Sequence, residues 1–99
     1  MAGIMEQREW FVYILECADG SLYTGITNDL QRRLERHALG KASRYTRTRL
    51  PVRLVYQENQ PDRSAASIRE AAIKRLPTKE KRSMIQAVCP AAKPEAQAQ

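Results

Sequence analysis

The sequence predicts a small α/β domain in which a three-stranded, mainly antiparallel sheet is flanked by helices, in the order ββαβαα. Three observations carry this. Two short runs rich in β-formers, FVYILEC and SLYTGIT, are joined by Ala18-Asp19-Gly20, a composition suited to a tight hairpin loop. Later segments repeat apolar residues at helical spacing between capping residues and breakers. The chain has 99 residues, 42% of them hydrophobic, which suits one domain with one modest core.

Taken in order, the first strand spans about Trp10 to Cys17, where aromatic and β-branched side chains dominate and fit a pleated surface. Ser21 to Thr27 returns as the second strand. Asn28-Asp29-Leu30-Gln31 then reads as a helix start, with Asn28 as N-cap and Gln31 at the capping-box position. Leu30, Leu34 and Ala38 make a narrow apolar stripe, and Gly40 is a natural stop. A basic loop follows, and Pro51 introduces a third strand, Val52 to Tyr56. The polar turn QENQPD leads into a second helix from about Arg63 to Leu76, with Ala66, Ile68, Ala72, Ile73 and Leu76 on its buried side. Pro77 ends that helix and Thr78 caps a third, from about Lys79 to Val88, because proline cannot continue a helix and a hydroxyl can satisfy its first amides. The expected domain is 10–88, with an extension over 1–9. Residues 89–99 read as a disordered tail, since nothing large and apolar follows Pro90.

Composition narrows the function. No apolar run approaches the roughly 20 residues needed to cross a bilayer, and MAGIMEQREW lacks the apolar segment of a secretory signal. Cys17 and Cys89 have no partner at metal-ligand spacing, so two reduced thiols in a cytoplasmic protein are expected. Lys and Arg outnumber Asp and Glu by 17 to 11, giving a net charge of +6, and a basic domain this small attracts polyanions. The charge is concentrated in KASRYTRTRLPVR, where Lys41, Arg44, Arg47, Arg49 and Arg53 surround Tyr45 with no acidic residue among them. Such a segment can neutralise phosphates while its ring packs on sugar or base.

The hairpin poses the sharper question, because side chains on a strand alternate faces and the loop length decides which residues meet. A two-residue Asp-Gly loop sets Tyr13 opposite Ile26 and sends Tyr13 and Tyr23 to opposite faces. A three-residue loop with Gly20 left-handed pairs Leu15 with Tyr23 and Tyr13 with Gly25. Both rings then share a face as diagonal neighbours, about 7–8 Å apart at Cα, and Gly25 leaves a notch opposite Tyr13. The spacing permits this second arrangement without forcing it.

Tyr13 in FVYIL, followed ten residues later by Tyr23-Thr24-Gly25, resembles the GIY-YIG nuclease signature. The likeness continues in TNDLQRRLERH, where Arg33 and His37 stand at the superfamily's catalytic Arg and His positions. It extends to IREAAIKRL, where Glu70 occupies the place of its metal-binding glutamate. The short length, the YTGIT form and the REAAIKRL ending are most similar to the small stand-alone YhbQ-like members. The pattern departs at Phe11, which replaces the first glycine, and at Ile26, where some members carry lysine. No asparagine follows Glu70 at the expected distance, and Lys74 is the nearest substitute.

The resemblance implies a DNA endonuclease using one divalent ion, Mg²⁺ or Mn²⁺, held by Glu70 and weakly bound without DNA. It implies roles for Tyr13 and Tyr23 at the attacking water, Arg33 at the phosphate and His37 in proton transfer. These residue types suit that chemistry. Arginine offers two parallel donors to a phosphate oxygen, and a single carboxylate plus waters and substrate phosphate commonly holds Mg²⁺. An unperturbed phenol is only about 0.1% ionised near neutral pH, so a neighbour must take its proton. Arg33 and His37 lie one turn apart on the first helix and share a face. Each also has a structural role to offer: tyrosines fill core edges, and Glu70 precedes Lys74 in the favourable order for a surface ion pair. Asn28, Lys41, Arg44, Tyr45, Arg47, Arg49, Arg53 and Lys74 are the expected nucleic-acid contacts. DNA is the expected partner, with RNA as an alternative. The protein is expected to act as a monomer or within a larger repair complex, away from membranes.

Overall fold

The computed structural model describes residues 9–88; the expected tail, and all of the N-terminal extension but its last residue, lie outside them. Strand β1 (Trp10–Glu16) and strand β2 (Leu22–Thr27) form a hairpin, and helix α1 (Leu30–Ala38) follows directly. A four-residue helix α2 (Arg44–Arg47) precedes strand β3 (Arg53–Gln60), and helices α3 (Arg63–Lys74) and α4 (Thr78–Val88) complete the fold. The sheet order is β2-β1-β3, antiparallel throughout.

The hairpin uses the three-residue loop. Cys17 N–H donates to Ser21 O and Gly20 N–H to Cys17 O, both at 2.9 Å. Gly20 has φ +87°, a conformation that side-chain-bearing residues seldom adopt. The register therefore sets Leu15 opposite Tyr23 and Tyr13 opposite Gly25. Alternation then divides β1 between two environments. Val12 and Ile14 pack with Tyr56, Ala66 and Ile73 in the main core, with Met84 and Ile85 of α4 at its margin. Tyr13, Leu15 and Cys17 are buried on the opposite face, where α1 and α2 meet the sheet through His37 and Thr46.

Several local expectations change. The N-cap of α1 is Asp29, whose side chain accepts from Arg32 N–H, and Asn28 is exposed. Thr27 Oγ1 accepts from Asp29 N–H at 3.0 Å, which turns the chain one residue later than the sequence suggests. On α1 the inward stripe is Leu30, Arg33, Leu34 and His37, while Ala38 is exposed. The helix stops at Gly40, with Gly40 N–H bonded to His37 O and Lys41 N–H to Arg36 O, a Schellman ending. The basic loop contains α2, capped by Ser43 Oγ, which accepts from Tyr45 and Thr46 N–H. Strand β3 runs on through QENQ, whose Glu58 accepts from Tyr56, Gln60 and Arg69, so polar residues there are satisfied within the sheet and by α3. On α3, Ile68 is 70% exposed and Ala72 is also exposed, because the helix meets the sheet along Ala66 and Ile73, seven residues apart. Thr78 is the first residue of α4, and Pro77 O accepts from Lys81 N–H.

Candidate active site

The site grows from the contact between Tyr13 and Gly25. A Cβ at Gly25 would stand 2.6 Å from the Tyr13 hydroxyl and 2.7 Å from Cζ. The notch left by the glycine is therefore filled by the Tyr13 ring, which is 2% exposed. Tyr23, two residues earlier on β2, lies on the same face with its ring centroid 6.5 Å from that of Tyr13. His37 of α1 meets both rings edge-on, at 5.8 Å from Tyr13 and 5.4 Å from Tyr23. The Tyr13 hydroxyl and His37 Nε2 are 2.9 Å apart. On the other side of the imidazole, Nδ1 lies 2.9 Å from Thr46 Oγ1.

Burial and charge set the protonation states. Burial pushes the Tyr13 phenol above its ordinary range; Tyr23 and Glu70 push in the same direction, and Arg33 opposes them. Burial, helped by the Arg33 charge, pushes His37 down to about 4. The pair is thus a neutral phenol beside a neutral imidazole at neutral pH, with an O–H on one side and a ring nitrogen on the other. Arg33 is half-buried on α1 and its charge acts on both members. Tyr13, Tyr23 and His37 meet through their rings, and the charges of Arg33 and Glu70 act on Tyr13.

Glu70 also bonds Lys74, with Nζ 3.1 Å from Oε2. This is the surface pair that their spacing allowed, and both partners retain solvent access. Such i,i+4 pairs contribute about 0.3–0.5 kcal/mol, too little to keep a carboxylate from a divalent cation. No group of three His, Cys, Asp or Glu residues is placed to hold a metal among the described residues. One accessible carboxylate fits an ion that keeps most of its waters and takes a phosphate oxygen as a further ligand.

The basic residues divide into two sets. Lys41, Arg44 and Arg47 are exposed, and the α2 that carries Arg44 and Arg47 sits beside Tyr23 and His37. Arg49 is tied to Asp19 at 3.1 Å and lies over the Tyr45 ring at 3.9 Å. Arg53 is bound to Glu16 at 2.6 Å. Tyr45 also stacks on Tyr23 with centroids 6.0 Å apart. One ring thus meets Arg49 and Tyr23 and remains 37% exposed. Asn28 is exposed just before α1.

Two residues near the site were not read from the sequence. Thr46 falls in the segment the sequence presents as a basic loop; the Ser43 cap three residues before it is the signal that marks a helical turn there. Lys81 of α4 joins Leu22, Tyr23, Thr24, Tyr45 and Lys74 around a cleft of about 260 Å³. Nothing local in the sequence points to it, since α4 reaches the hairpin through tertiary contacts such as Arg82 with Gly20 O at 2.6 Å.

Comparison with known proteins identifies the family. Residues 9–83 match the model of the GIY-YIG catalytic domain. A UPF0213 protein of Desulfotalea psychrophila is 56% identical over 83 residues, covering 83% of this chain and 76% of the relative. A UPF0213 protein of Streptococcus sanguinis is 52% identical over 69 residues, covering 70% of this chain and 79% of the relative. The solution NMR structure of the UPF0213 protein BH0048 from Bacillus halodurans superimposes with a TM-score of 0.53 at 43% identity, over 80% of this chain and 84% of that one. With the family model covering nearly all the described residues, the chain belongs to the GIY-YIG family.

Proposed function

We propose that this protein is a divalent-metal-dependent DNA endonuclease, structure-selective and serving DNA repair or recombination in the cytoplasm. The observation that supports it best is the 2.9 Å contact between Tyr13 and His37 with Tyr23 beside both rings. A neutral phenol alone is a poor base. Backed by a neutral imidazole, it can receive a proton from an attacking water while passing its own to His37 Nε2. Tyr23 borders the same space and positions the water. Arg33 offers its guanidinium to the non-bridging phosphate oxygens. Glu70 is the residue that would hold Mg²⁺ or Mn²⁺, which when bound neutralises charge on the phosphate. Lys41, Arg44 and Arg47 supply sequence-independent attraction for the backbone, which accords with selection by DNA shape.

One contact favours a second reading. Because Glu70 is also the surface ion-pair partner of Lys74, the second reading is a non-catalytic nucleic-acid-binding module, for DNA or RNA, that keeps the fold, or a nuclease active only with a protein partner. Cleavage of labelled flaps, nicks, ends and single strands with Mg²⁺ or Mn²⁺ separates the two. The endonuclease reading expects wild type to cut, with cleavage lost in Glu70→Ala and in EDTA. Binding without cleavage on every substrate would favour the module or the partner-dependent nuclease instead.

A further inference from the structure

We infer that Thr46 is a positioning residue that holds His37 in the Nδ1–H tautomer and so leaves Nε2 free to accept the Tyr13 proton. The inference rests on three buried groups in a line. Tyr13 is 2% exposed, His37 1% and Thr46 0%, so each hydrogen must find its acceptor inside the protein. Tyr13 Oη lies 2.9 Å from Nε2, Nδ1 lies 2.9 Å from Thr46 Oγ1, and Thr46 Oγ1 lies 3.4 Å from Ser43 O.

Among the protein groups described, only one direction satisfies every hydrogen. With Thr46 donating to the Ser43 carbonyl, its lone pairs face Nδ1, which must carry the ring proton; Nε2 then accepts from the Tyr13 hydroxyl. In the opposite direction Thr46 donates to Nδ1 and Nε2–H donates to Tyr13. The buried Tyr13 hydrogen is then left without an acceptor, since His37 is the one hydrogen-bond partner of its hydroxyl among the described residues. Leaving a buried donor unmade is costly enough to decide the direction. A wrong tautomer at a catalytic histidine can reduce kcat by up to about 10⁴, so the hydroxyl at position 46 controls whether the pair can move a proton. Thr46 stands on α2, whose Ser43 cap fixes the turn that presents it to His37.

His37 is the only histidine, so long-range ¹H–¹⁵N NMR of the DNA-free protein reads a single imidazole. The expected spectrum shows a protonated Nδ1 and a bare Nε2 in wild type, unchanged in Thr46→Ser. In Thr46→Val, which keeps the shape and loses the hydroxyl, the two nitrogens should average or exchange roles. A protonated Nε2 in wild type, or an unchanged tautomer in folded Thr46→Val, overturns the inference. If Thr46→Val does not fold, a protonated Nε2 in wild type still overturns the inference, and Thr46→Ala provides the second variant without the hydroxyl. A second arm rests on the endonuclease reading: kcat for cleavage should fall at least about 10-fold in Thr46→Val with KM little changed, and recover in Thr46→Ser. Absence of cleavage by wild type would count against that reading alone, because the tautomer is measured without DNA.

Discussion

A Cβ on Gly25 has nowhere to go, because the Tyr13 hydroxyl and Cζ already stand within 2.6 and 2.7 Å of its place. The ring cannot swing aside: it is buried and bonded to His37. Gly25→Ala should therefore destabilise the protein by about 1–3 kcal/mol through overpacking, read as a lower denaturation midpoint in urea. Cleavage should fall by about 100-fold, the expected penalty for displacing a reacting group by roughly an ångström. Wild-type stability and activity in Gly25→Ala would mean that the hydroxyl's position is not what the site depends on. The same residue shows what was legible in advance. The glycine opposite Tyr13 follows from the register once the loop length is known, but that the ring itself occupies the notch is a matter of side-chain packing.

At the scale of elements, the turn from β2 into α1 decides where Arg33 and His37 point. Moving a helix start by one residue rotates its side chains by about 100°. Asp29 caps the helix by accepting from Arg32 N–H, with Thr27 Oγ1 supporting the turn. Asp29→Ala should cost about 1 kcal/mol of stability, whereas Asn28→Ala should stay within about 0.5; urea denaturation of the two variants distinguishes them, and the reverse order would restore Asn28 as the cap. Both residues are good caps by type, so the sequence alone offered two adjacent answers. For α3 the ambiguity lay in its alanine-rich run, which supports several apolar stripes. Glu58 on β3, paired with Arg69 at 2.8 Å, helps select the orientation that buries Ala66 and Ile73 and leaves Ile68 in solvent.

For the whole molecule, folding and proton uptake are coupled at His37. Its ordinary value of 6.5 drops to about 4 in the fold, so the unfolded chain binds the proton more readily. Stability from this group is complete above its ordinary value and is lost as pH falls toward the folded value. Between about pH 7 and about pH 5 the loss should reach about 2 kcal/mol, measured as the change in unfolding free energy. Glu16, Glu58 and Asp19, whose carboxyls are held below their usual values by hydrogen bonds and arginine charges, lose their contributions at lower pH. His37→Gln should flatten the upper part of the profile. An equally steep profile in that variant would place the titration elsewhere.

The sequence by itself determined the sheet-and-helix order, the tyrosine and glycine positions and the basic segment, because alternation, helical spacing and turn chemistry are local properties of neighbouring residues. It also carried the family's residues in order along the chain. Only the tertiary structure decided that the loop has three residues, that α2 exists, that Thr46 stands behind His37 and that Arg49 and Arg53 pair with Asp19 and Glu16. The physical reason is distance along the chain. The Thr46 contact spans nine residues, the Tyr13 contact with His37 spans 24 and the Arg53 contact with Glu16 spans 37. Such pairings depend on how the packed sheet and helices bring remote side chains together, which no local pattern encodes.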